Sequence, residues 1–79
     1  MEKSVVNSKV KKIISNLFKI NIIEISDQTS PSDSESWDSL NHIKLILQIE
    51  KEFNIKIDDS EINTLINVKI IVNTILSHL

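Results

Sequence analysis

Not one of the 79 residues is glycine, and Pro31 is the only proline. A small β-domain depends on tight hairpin turns, and the favoured ones place residues at positive φ, where glycine dominates. β-branched residues are abundant enough for strands to be considered. Clear apolar–polar alternation is nevertheless confined to Asn54–Ile57. The chain is therefore expected to be all-α.

The helices follow from the spacing of apolar residues. Val6, Val10, Ile13, Ile14 and Leu17 form an amphipathic stripe, which predicts a first helix over residues 3–18 with Lys9, Lys11 and Lys12 on its wet face. Residues 20–37 are rich in Ser, Asp and Thr and read as a long loop. Ile22, Ile23 and Ile25 are expected to tack it onto the bundle, because long structureless loops are unusual unless pinned or functional. Asp38 is the expected N-cap of a second helix running from Ser39 to Phe53, with Asn54 as a left-handed stop. Asp58 and Glu61 have capping-box spacing and open a short third helix. Asn67 caps a final helix whose stripe is Val68, Ile71, Val72, Ile75, Leu76 and Leu79. The result is one domain over residues 1–79: a four-helix bundle of three main helices and one short one, with the long loop between the first two.

Composition narrows the function. A chain of this size buries only about 60% of its extended surface, so its core is thin. There is no cysteine, hence neither a disulfide framework nor a thiolate metal site. Any thiol chemistry requires a sulfur brought from outside. The polar N-terminus is unlike a signal peptide and no apolar run is long enough to span a membrane, which points to the cytoplasm. Net charge is -2 and all nine basic residues are lysine, a poor match to nucleic-acid binding. Charge is unevenly placed: residues 1–19 carry five lysines against Glu2, whereas residues 20–43 carry five acids and no lysine.

Helix 2 is too apolar for a single buried face. Leu45, Ile46, Ile49 and Phe53 make a core stripe, while Leu40, Ile43 and Leu47 make a second stripe turned away from it. The second stripe either covers loop residues such as Trp37 or forms an exposed contact surface for a partner or cargo. At its N-terminal end lies Asp38-Ser39-Leu40. This triplet follows a long loop and opens a helix ending in Glu50-Lys51-Glu52-Phe53. An Ile-x-Ile-Asp-Asp connection, a short helix and a final helix near Asn67-Val68 complete the order. In this arrangement the chain resembles the acyl carrier protein family along nearly its whole length. The stretch Glu35–His42 is most similar to the small free-standing carriers of specialised pathways.

The resemblance implies a non-catalytic carrier with an acyl-carrier-like bundle and 4′-phosphopantetheine attached covalently to Ser39. Asp38 is then the residue that caps the helix and presents the serine. The arm's thiol would hold acyl or aminoacyl groups as thioesters, which answers the lack of cysteine. The implied partners are a phosphopantetheinyl transferase, a loading ligase and a downstream transferase or synthase acting on a monomer. A helix N-terminus suits a phosphodiester, since it offers free N–H groups and the positive end of the dipole. The family pattern fails at two places. Helix 2 carries Lys44 and Lys51 and has Asn41 where an acid is common, and Trp37 replaces a small residue. Charge steering should therefore be weak. Recognition should rest on Leu40, Ile43 and Leu47, with Lys44 beside them, in a dedicated carrier for polyketide, peptide or surface-polysaccharide synthesis. The competing reading is an unmodified helical interaction module with a carrier-like fold.

The remaining candidates have modest expectations. His42 reads as an exposed helical histidine, with phosphate or partner contact as the alternative. His78 reads as a favourable charge at a helix C-terminus. Trp37 is expected to anchor the loop against helix 2, and Ser32–Ser36 to be solvated.

Overall fold

The computed structural model describes residues 1–79. It contains α1 (Lys3–Phe18), α2 (Ser39–Phe53), α3 (Asp59–Ile62) and α4 (Val68–His78), and no strand. The extended stretch Asn54–Ile57 stays a connection: Glu50 Oε2 accepts from the Ile57 N–H at 2.8 Å, and Ile57 is buried. The stripes meet in one core of 16 buried apolar residues. α1 packs on both α4 and α2. On α1 the buried line is Val6, Val10, Ile14 and Phe18, with Ile13 and Leu17 only partly buried. Phe18, outside the expected stripe, completes its straight i, i+4 run. On α4, Leu79 lies past the helix end and is exposed, so the stripe closes at Ile75 and Leu76.

Both long helices that lead into loops end at a left-handed residue, Lys19 (φ 57°) and Asn54 (φ 53°). In a chain without glycine these positions fall to other residues, and asparagine tolerates the geometry better than lysine. At the helix starts, Asp38 Oδ1 accepts from the Asn41 N–H and Asn67 Oδ1 from the Ile70 N–H, each at 2.9 Å. Asp58 N–H donates back to Glu61 Oε1 at 3.2 Å, the reach-back bond of a capping box.

The α1–α2 connection is pinned, though not as its isoleucines suggest. Ile25 is buried, whereas Ile22 is exposed and Ile23 is 86% exposed. Those two sit in a single 3₁₀ turn, Ile22–Glu24, capped by Asn21, and that turn presents them outward. Polar bonds do much of the fastening. The Thr29 carbonyl accepts from the Val68 N–H (3.1 Å) and the Asp27 carbonyl from the Lys69 N–H (3.0 Å), which satisfies free donors at the start of α4. Ser34 Oγ donates to the Phe18 carbonyl at 2.9 Å, so part of the Ser32–Ser36 run is structural. Trp37 anchors the end of the connection, stacked on Phe18 with ring centroids 4.5 Å apart.

Candidate functional site

The capping geometry that starts α2 places Ser39 at its first turn with an exposed side chain. Asp38 is extended (φ -99°, ψ -177°). Its carboxylate holds the Asn41 N–H, and its carbonyl accepts from the His42 N–H at 2.8 Å. The N–H groups of Ser39 and Leu40 have no partner within the chain. An anion on the Ser39 oxygen would meet two free donors at the positive end of a helix 15 residues long.

Beside Ser39 lies an open cleft of about 490 Å³ between the head of α2 and the α3–α4 connection. Trp37, His42, Ile43, Ile62, Leu65 and Ile66 line most of it. Ile62, Leu65 and Ile66 were not singled out from the sequence. Ile66 carried a signal: it precedes the Asn67 cap, stands off the α4 stripe, and is 56% exposed.

The two stripes of α2 separate cleanly. Leu45, Ile46, Ile49 and Phe53 are buried. Leu40, Ile43 and Leu47 are 67%, 44% and 58% exposed. Trp37 is itself buried and stacked on Phe18. Lys44, on the same helix, is also exposed.

His42 is not the exposed histidine expected from its place on the helix. It is half-buried, and both ring nitrogens are bonded: Nδ1 accepts from Trp37 Nε1–H at 3.0 Å, and Nε2 lies 2.9 Å from the Ile62 carbonyl. An indole nitrogen can only donate, so the neutral ring carries its proton on Nε2 and gives that bond to Ile62. His42 therefore has no free lone pair with which to take the Ser39 proton. His78 likewise does more than face a helix dipole: its Nε2 lies 2.9 Å from Glu61 Oε1 and ties the end of α4 to α3. No group of three His, Cys, Asp or Glu is arranged to hold a metal ion, and no helix is long and apolar enough to cross a membrane.

An exposed hydroxyl, two free amide donors and an adjoining cleft together suit a phosphodiester-linked arm. Comparison with known proteins agrees. Residues 8–75 match the family model described as the phosphopantetheine attachment site. The chain is similar to the acyl carrier protein of Buchnera aphidicola subsp. Schizaphis graminum, with 41% identity over 64 residues and 81% of each chain covered. It is 37% identical to that of Clostridium acetobutylicum over 70 residues, covering 89% of this chain and 91% of the relative. A solved acyl carrier protein from Enterococcus faecalis aligns over all of both chains with a TM-score of 0.83 at 33% identity. One from Thermotoga maritima gives 0.77 at 24% identity over 99% of this chain and 91% of that one, which speaks for the fold alone.

The chain belongs to the phosphopantetheine-bearing family of acyl carrier proteins. Its cofactor is 4′-phosphopantetheine, and members of the family are carriers that work with enzymes such as transferases and synthases.

Proposed function

We propose that Ser39 is the attachment residue and that the protein presents acyl or aminoacyl thioesters on the arm it bears. The observation that carries this reading is the exposed Ser39 hydroxyl at the head of α2, beside unpartnered N–H groups on Ser39 and Leu40. Asp38 holds the first turn so that the hydroxyl points away from the bundle. When bound, the arm supplies the thiol that a chain without cysteine lacks. The protein's own part is non-catalytic, because His42 is committed to Trp37 and Ile62 and offers no base to Ser39.

A single carrier domain spanning residues 1–79 acts as a monomer in the cytoplasm. A phosphopantetheinyl transferase, a loading ligase and a downstream transferase or synthase meet it at Leu40, Ile43, Leu47 and Lys44. Three exposed apolar side chains on one helix face supply contact area, and the mixed charge of Lys44, Glu50, Lys51 and Glu52 gives little long-range steering. That balance supports a dedicated carrier of a specialised pathway over one that serves many strongly basic partners.

The test is incubation with coenzyme A and a broad-specificity phosphopantetheinyl transferase, read by intact mass. The wild type gains one phosphopantetheinyl group and Ser39→Ala gains none. A wild type that stays unmodified favours the unmodified interaction module and ends the carrier reading for this chain.

A further inference from the structure

One side chain holds together the walls of the cleft beside Ser39. Trp37, two residues before Ser39, is buried and stacked nearly parallel on Phe18, 7° from coplanar. Its indole N–H donates to His42 Nδ1 at 3.0 Å, and His42 Nε2 donates to the Ile62 carbonyl at 2.9 Å. Two hydrogen bonds in series thus join the loop before Ser39, the first turn of α2 and the last residue of α3. All three residues line the cleft. α3 is only four residues long, too short to hold its place by its own backbone bonds. Its other long-range side-chain tie is the Glu61–His78 pair.

Below this chain the core is closed, with Leu45, Leu65 and Val68 fully buried. Widening this cleft toward the core parts Ile62 from His42. That leaves a half-buried imidazole N–H and a carbonyl unpaired, and a swing of the ring also orphans the indole N–H, each an uncompensated polar group.

We propose that His42 is a positioning residue that locks the cleft in its shallow, surface-open form, and that the lock selects the cargo. Short or polar acyl and aminoacyl groups lie across the cleft, while long alkyl chains gain no burial. The inference rests on Ser39 being the tether.

The full chain, wild type, His42→Leu and His42→Gln, is loaded from butanoyl-, octanoyl- and dodecanoyl-coenzyme A by a broad-specificity phosphopantetheinyl transferase. Hydroxylamine cleavage of each thioester is followed by intact mass. Leucine fills the space without either bond, and glutamine restores one acceptor and one donor. Wild type and His42→Gln should cleave all three thioesters within about twofold, whereas His42→Leu should protect the dodecanoyl group at least about fivefold over butanoyl. A wild type with that length dependence, or a His42→Leu protein as flat as wild type, overturns the proposal. The mass spectra separate this from failure of the tether: a wild type that never loads removes the Ser39 reading and the inference with it. If His42→Leu does not fold, Trp37→Phe keeps the stack on Phe18, deletes the indole donor, and should show the same length dependence. The unmodified protein gives an independent readout. The Trp37 indole proton should exchange at least about tenfold faster in His42→Leu than in wild type, and equal rates overturn the lock whatever the loading result.

Discussion

Leu45 and Leu47 lie two residues apart on one helix, yet the structure gives them opposite tasks. Leu45 is fully buried in the 16-residue core, and Leu47 is 58% exposed. Truncating a buried leucine to alanine costs about 2–5 kcal/mol, from lost transfer energy plus the cavity left behind. A domain of 79 residues has roughly 4–12 kcal/mol in total. Leu45→Ala therefore removes a large fraction of the stability and should lower Tm by at least about 8 °C. At Leu47 less than half of the side chain is covered, so burial worth about 1.5–3 kcal/mol for a whole leucine falls to roughly 1 kcal/mol or less. No cavity forms there, and alanine is slightly the better helix former. Thermal unfolding followed by far-ultraviolet circular dichroism measures both variants. Transfer from the loading ligase should show the reverse order, with Leu47→Ala impaired and any folded Leu45→Ala near normal. Equal destabilisation by the two truncations would refute the division of α2 into a core face and a contact face.

Four further outcomes follow from the same geometry. Ile43→Asp should keep the helix content by circular dichroism while impairing loading or transfer; loss of the fold would show that this face is needed inside. Phe53→Ala should cost about 3–5 kcal/mol in urea unfolding, since its ring is buried at the end of α2. Asp38→Ala removes the cap on the Asn41 N–H and should cost about 0.5–2 kcal/mol, with a slower phosphopantetheinylation rate. Lys19→Gly should stabilise the protein by about 0.5–1 kcal/mol, because Lys19 holds a left-handed φ of 57° that costs a side chain with a Cβ; a lower Tm would contradict this.

The helices were legible in the sequence because local rules and packing agree there. Asp38, Asn54, Asp58 and Asn67 each stand where a start or stop signal is needed, and the apolar spacing of α1, α2 and α4 has one helical solution. The exposed position of Ser39 at the head of α2 was legible because its setting, a long loop before it and a doubly striped helix after it, is a pattern along the chain. The cleft was not, because its walls come from residues about twenty or more positions apart. No local signal says that His42 meets the Ile62 carbonyl or that Trp37 stacks on Phe18 across the loop. The loop isoleucines misled for a related reason. Hydrophobicity predicts burial, but Ile22 and Ile23 sit in a 3₁₀ turn capped by Asn21, and loop carbonyls on α4 do much of the fastening beside Ile25 and Trp37.

The claim beneath all of this is chemical: one particular hydroxyl bears the arm. Cleavage after lysine releases residues 20–44 as a single peptide containing Ser26, Ser30, Ser32, Ser34, Ser36 and Ser39. Fragmentation of that peptide from transferase-treated protein should place the added group on Ser39 and leave the other five serines bare. An added group on Ser36 or any loop serine, with Ser39 untouched, would contradict the account.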